Sequence, residues 1–153
     1  MERWIEVLVE EMETLSLEER CEFLTQGDLQ YLGVGTFRFV FALDDRRVLK
    51  CARGPYGIDH NAREVVYFKA MPGAPLAQVL AWHSGYEWTI MERVQTLREL
   101  SQLGRDYKPT PAQWERLRKS ASYTQDLHSD NVGLREDGSL VIVDYGFATV
   151  SKE

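Results

Sequence analysis

Cysteine is almost missing from this chain: two occur in 153 residues, Cys21 and Cys51, with no CxxC partner for either. That argues against a disulfide framework or a zinc site, and the plain expectation is two buried free thiols in a reducing compartment. Histidine occurs three times, and His60 and His83 lack metal-ligand spacing, so surface or helix-start roles are expected for them. Only 5 Pro and 11 Gly are present beside 44% hydrophobic and 27% charged residues, which rules out collagen-like, low-complexity and disordered chains. Positive charge is in deficit: 18 Lys and Arg face 24 Asp and Glu, a net charge of −6. Such a balance argues against a protein that lives on nucleic acid or an anionic membrane, yet leaves room for a local basic site for a phosphorylated ligand. Apolar runs such as residues 140–143 fall far short of the ~20 residues a membrane helix needs. The N-terminus opens Met-Glu-Arg-Trp, without a basic-then-apolar leader, so the cytoplasm (a host's, for a viral source) is the expected location.

What is present is patterned as one α+β domain. Trp4, Ile5, Leu8, Val9, Met12 and Leu15 form a helical stripe, and Ser16-Leu17-Glu18-Glu19 is a capping-box sequence that opens a second helix. Strand patterns cover residues 31–32, 37–43 and 47–51, with Asp44-Asp45 as a turn. Asp59 or Asn61 caps a helix over 62–70, which Pro72-Gly73 stops. Residues 76–82 and 87–94 read as a hairpin split by Ser84-Gly85. Thr96 starts a short helix, and Thr110-Pro111-Ala112-Gln113 starts another that runs to about Ser122. A last hairpin joins 132–134 to 140–143 across Asp137-Gly138.

Three groups of residues suggest chemistry. Gly33-Val34-Gly35-Thr36 lies between two predicted strands, where small residues let backbone N–H groups approach phosphate oxygens; a plain hairpin turn is the competing reading. Lys50 ends an apolar strand, which directs its ammonium into a cleft, and Glu64 stands on the polar side of the following helix as a possible ion-pair partner. Asp126-Leu127-His128-Ser129-Asp130-Asn131, followed by Asp144-Tyr145-Gly146, supplies a proton acceptor and two oxygen donors suited to Mg²⁺ and a triphosphate. Asp130 reads as a solvated loop acid, and Trp82, Trp88 and Trp114 as packing residues.

Taken in order, these motifs resemble the protein-kinase-like superfamily over residues 30–148. Gly33-Val34-Gly35-Thr36-Phe37 with Val40 resembles the nucleotide loop, Val48-Leu49-Lys50 the third-strand lysine motif, and Glu64 the helix-C glutamate. Asp126 to Asn131 is similar to the Asp-Leu-His-x-x-Asn loop of aminoglycoside and choline phosphotransferases, with RIO kinases and short phage-encoded kinase-like proteins also similar. Asp144-Tyr145-Gly146 stands where kinases carry Asp-Phe-Gly. The resemblance implies a strand lobe over residues 28–94 behind a helical extension over 1–26, and a shortened helical lobe over 95–153.

It further implies an ATP- and Mg²⁺-dependent phosphotransferase. Gly33, Val34, Gly35, Thr36 and Val40 would surround the nucleotide, Lys50 braced by Glu64 would neutralise its phosphates, and Asn131 with Asp144 would hold the metal. Asp126 would deprotonate an acceptor hydroxyl on a protein Ser/Thr or a small molecule, while His128 either touches the transferred phosphate or orders its loop. Met91 would precede the hinge, with Glu92 and Val94 bonding adenine. The chain departs from the family at Thr124-Gln125, which replaces His-Arg, at Arg38 in the third glycine position, and after Gly146, where seven residues leave no activation segment or substrate platform. The alternative expectation is therefore a pseudokinase or binding module that docks a partner protein. A second copy or partner chain supplying the acceptor surface is a further one.

Overall fold

The computed structural model describes residues 1–34, 37–121 and 127–146. The described chain is α+β. It opens with two helices, α1 (Arg3–Glu13) and α2 (Leu17–Gln26), then strands β1 (Gln30–Val34), β2 (Arg38–Ala42) and β3 (Arg47–Ala52). Helix α3 (Pro55–Ala70) leads to β4 (Val79–Trp82) and β5 (Trp88–Glu92), then β6 (Gln95–Thr96), α4 (Leu97–Gln102), α5 (Pro111–Ser120), β7 (Val132–Leu134) and β8 (Leu140–Ile142). Two compact units result: Met1–Asn61 with Leu80–Met91, and Ala62–Val79 with Glu92–Glu153. Among the described residues no helix is long and apolar enough to cross a membrane.

In the first unit the strands form a five-stranded sheet in the order β1-β2-β3-β5-β4, with β1–β2 and β2–β3 antiparallel. Strand alternation sends Phe41, Leu49 and Cys51 to one face, where they join Ile5 and Met12 of α1, Leu24 of α2, Leu43, Trp88 and Ile90 in the core. The N-terminal helices are held in place by a buried arginine. Arg20 of α2 is 2% exposed and donates to the carbonyls of Met12 and Leu15 and to the Glu87 carboxylate at 3.0 Å. The Ser16 capping box forms as its sequence requires, with Ser16 Oγ accepting from the Glu19 N–H and Glu19 accepting from the Ser16 N–H.

Helix α3 starts at Pro55, seven residues before the expected start, so neither Asp59 nor Asn61 is its cap. The reason is a polar inner face. Gly57, His60, Asn61 and Glu64 are buried at helical spacing, whereas Val66 is 52% exposed. Gly57 is needed there, because a Cβ would lie 2.3 Å from the Phe37 carbonyl oxygen and 2.9 Å from Ala52. His60 is likewise buried inside the helix, its ring 4.8 Å from that of Phe37, which corrects the expected surface or helix-start role.

The second unit carries a three-stranded antiparallel sheet, β6-β7-β8. The β7–β8 hairpin turns at Gly138, whose φ of 88° is the left-handed conformation a glycine adopts without strain. Gly133 of β7 permits close packing, since a Cβ would lie 2.7 Å from Val94 Cγ1. Thr96 and Thr110 both cap their helices, the latter in a capping box with Gln113. The expected strand over 76–82 begins only at Val79; Leu76 instead makes a single parallel bridge to Ile142.

Candidate functional site

The proposed site residues fall in both units, and each set is built by its own elements. In the first unit, strand register sets three of them in one row. Gly33 of β1 is opposite Val40 of β2, and Val40 is opposite Lys50 of β3. The row depends on an irregularity in β1 between Tyr31 and Gly33: Tyr31 pairs with Phe41, but Gly33 pairs with Val40, the signature of one extra residue in the strand. Val40 and Lys50 lie on the sheet face opposite Phe41, Leu49 and Cys51, turned away from the α1–α2 core.

That face carries two cationic side chains. Arg38 pairs with Ala52, two positions along β3 from Lys50, so the two cations are diagonal neighbours on one surface. Both are almost wholly removed from water, Arg38 at 6% and Lys50 at 7% exposure. Buried cations are stable only among oxygen acceptors or anions. One acceptor for Arg38 is the Asn61 side-chain oxygen at 3.1 Å; the Asn61 amide in turn donates to the Tyr86 carbonyl at 2.9 Å. Tyr86 has a φ of 62°, unusual for a residue with a side chain, and this part-buried bond helps to hold it. Arg38 thus reaches α3 through Asn61. Met91, at the end of the same sheet's β5, is fully buried.

In the second unit the sequence-predicted residues gather around Asp144. On one side, the Val143 N–H donates to the Asn131 carbonyl at 2.8 Å. On the other, the Tyr145 N–H donates to the Glu64 carboxylate at 3.3 Å. Glu64 is fully buried, on the inner face of α3. The Tyr145 ring is buried beside Tyr67, centroids 5.9 Å apart, and its hydroxyl donates to the Ala77 carbonyl at 2.7 Å. Tyr67 donates to the Ala121 carbonyl. Anchors on both sides fix the backbone through Asp144 while its own side chain is exposed.

The loop before β7 is tied internally. The His128 N–H donates to Asn131 Oδ1 at 2.9 Å, and the Asn131 N–H returns to the His128 carbonyl at 3.1 Å. The Asp130 N–H donates to His128 Nδ1 at 3.2 Å, so a neutral ring carries its proton on Nε2. His128 is thus bonded within this loop through both its backbone and its ring. Asp130 is exposed, as expected, and pairs with Arg98 at 3.2 Å. Asp126, Gly35 and Thr36 lie outside the described residues, as do the side-chain surroundings of Val34.

Glu92 is held more firmly than its sequence suggests. Its carboxylate takes two bonds from Arg135, at 2.7 and 2.8 Å, and a third from the Gln78 N–H at 3.0 Å. Burial alone pushes this carboxyl up, but the Arg135 and Gln78 bonds outweigh it and hold it below the usual carboxylate range. The Glu92 N–H is also engaged, donating to the Gln78 carbonyl at 2.8 Å. A backbone bond from Glu92 to a ligand must therefore use its carbonyl.

Asn131 and Asp144 are hard oxygen donors, the ligand chemistry Mg²⁺ prefers. Among the described residues no three His, Cys, Asp or Glu side chains gather to hold a metal. No family model and no curated protein matches this chain.

Proposed function

We propose that this chain is a protein-kinase-like phosphotransferase that moves the γ-phosphate of ATP to a hydroxyl acceptor. The observation that carries the proposal is the row Gly33–Val40–Lys50. Three residues singled out for nucleotide binding lie side by side on one sheet face, with Arg38 adding a second buried cation. Lysine and arginine are the side chains that bind polyphosphate, and glycine beside them leaves space for phosphate oxygens.

Each residue then has a role in placing charge. Gly33 and Gly35 admit the phosphates, Lys50 and Arg38 neutralise them, and the Glu92 carbonyl with Val94 bonds the adenine edge. Asn131 and Asp144 are the residues that hold Mg²⁺, which supplies charge neutralisation on the triphosphate. Glu64 fixes the backbone beside Asp144, and Asp126 orients the acceptor hydroxyl and takes its proton. Catalysis on this reading is positioning and electrostatic stabilisation.

A small-molecule acceptor is favoured by an open cavity of about 380 Å³ in the second unit. Ser129 of the catalytic loop lines it together with Tyr107, Trp114 and Arg98, a combination of flat apolar surface and hydrogen-bond donors. The proposal is tested by incubating the chain with γ-labelled ATP, Mg²⁺ and fractionated small molecules or protein extract. Label is expected to move to an acceptor, and Asp126→Asn is expected to stop it. Equal transfer by Asp126→Asn and by the unaltered chain would sink the assignment.

A further inference from the structure

The only two cysteines of the chain stand 30 positions apart, yet their Sγ atoms approach to 3.9 Å. Cys21 sits on α2, partly exposed, and Cys51 on β3, fully buried in the core. We infer that Cys21 and Cys51 form a thiol–disulfide redox site, with Cys21 as the attacking thiol, Cys51 as the resolving thiol, and a small-molecule disulfide as oxidant.

The surroundings suit that division. Cys21 neighbours Arg20, whose guanidinium is fixed by two backbone carbonyls and Glu87, and Arg53 follows β3. The hydrogen bond from Cys51 is the largest influence on Cys21. Aided by the two arginines and opposed by burial, it brings the Cys21 thiol down to about 7. Cys51 is pushed far up by that same bond and by burial, so it keeps its proton while Cys21 is a thiolate. The charged groups facing the pair are Arg20, Arg53 and Glu87, and His83 approaches Glu87 at 3.8 Å.

In the first step the Cys21 thiolate attacks one sulfur of the small disulfide. A Cys21 mixed disulfide forms, the original S–S bond breaks, and one small thiolate leaves. Cys21 then carries no negative charge, so the strongest influence holding the proton on Cys51 is gone. Cys51 yields its proton to the departed thiolate and attacks the Cys21 sulfur. The second small thiolate leaves and takes a proton from solvent. The protein dithiol is oxidised by two electrons, and one small disulfide becomes two thiols.

Cys51 and Lys50 are consecutive in β3 and point to opposite sheet faces, so this site is independent of the nucleotide reading. The test uses the full chain and oxidised glutathione, read by intact mass and peptide mapping. The unaltered chain is expected to lose two hydrogens and to give one cross-linked peptide joining residues 21 and 51. Cys51→Ser is expected to stop at a mixed disulfide on Cys21, and Cys21→Ser to remain unmodified. The rate of the first step is expected to be half-maximal near pH 7, in place of the ~8.5 of an ordinary thiol. Two free thiols persisting in the unaltered chain, or a half-maximal pH near ~8.5, would overturn the inference. The mass measurement on the unaltered chain needs no substitution and stands even if a variant fails to fold.

Discussion

Lys50→Met is expected to reduce phosphate transfer about a thousandfold, the scale seen when one pre-placed positive or hydrogen-bonding group is lost from a transition-state site. Methionine keeps most of the aliphatic stem that packs beside Val40, so the sheet is retained and the charge alone is removed. The loss belongs in the chemical step as well as in binding, because charge on the transferring phosphoryl group is greatest in the transition state. Initial rates with γ-labelled ATP measure it, with far-ultraviolet circular dichroism as the control for folding. Unchanged rates in a folded Lys50→Met chain would make the buried lysine a structural group and remove the reason for placing phosphates on this face.

Arg20→Met is expected to cost about 3–5 kcal/mol of stability, a large part of the ~5–15 kcal/mol that holds a typical domain folded. The guanidinium serves three acceptors at once: the Met12 carbonyl, the Leu15 carbonyl and the Glu87 carboxylate. Without it the Met12 carbonyl keeps only backbone N–H donors, the Leu15 carbonyl loses its bond from the guanidinium, and Glu87 loses a cation 3.0 Å away. Methionine fills space without donating, so packing does not offset the loss. Urea unfolding followed by tryptophan fluorescence checks this, Trp88 being part of the same core. A midpoint equal to that of the unaltered chain would show that the α1–α2 pair is held by apolar packing alone.

Local chemistry in the sequence foretold most elements. Ser16, Thr96 and Thr110 cap helices where their side chains and following acidic or amide residues said they would, because a cap is decided within four residues. Helix α3 was the clearest failure. Its inner face holds His60, Asn61 and Glu64 beside Val65 and Tyr67, so a search for apolar periodicity finds only its second half. In the sequence Gly33 with Val40 belongs to one motif and Lys50 to another. Their alignment in one row requires the β1 irregularity, which no local residue pattern announces.

The contacts that escaped sequence reading are those between distant segments. Arg135 meets Glu92 across 43 positions, Arg20 meets Glu87 across 67, and the two cysteines meet across 30. Isolated in sequence, each looks like an ordinary surface charge or buried thiol, and only the fold supplies the partner. For Asp144 the motif gave the residue, while the anchoring of its neighbours by Asn131 and Glu64 came from the structure.

Nucleotide binding is the claim on which the functional account stands, and a thermal unfolding titration reads it most directly. The chain is heated with ATP alone, with Mg²⁺ alone and with both, since a ligand that binds only the folded state raises the midpoint, and goes on raising it with the logarithm of its concentration above Kd. A rise that appears with ATP and Mg²⁺ together, and is abolished by a chelator, is the predicted result. The same midpoint in every mixture, at ATP levels up to the millimolar range, would contradict it.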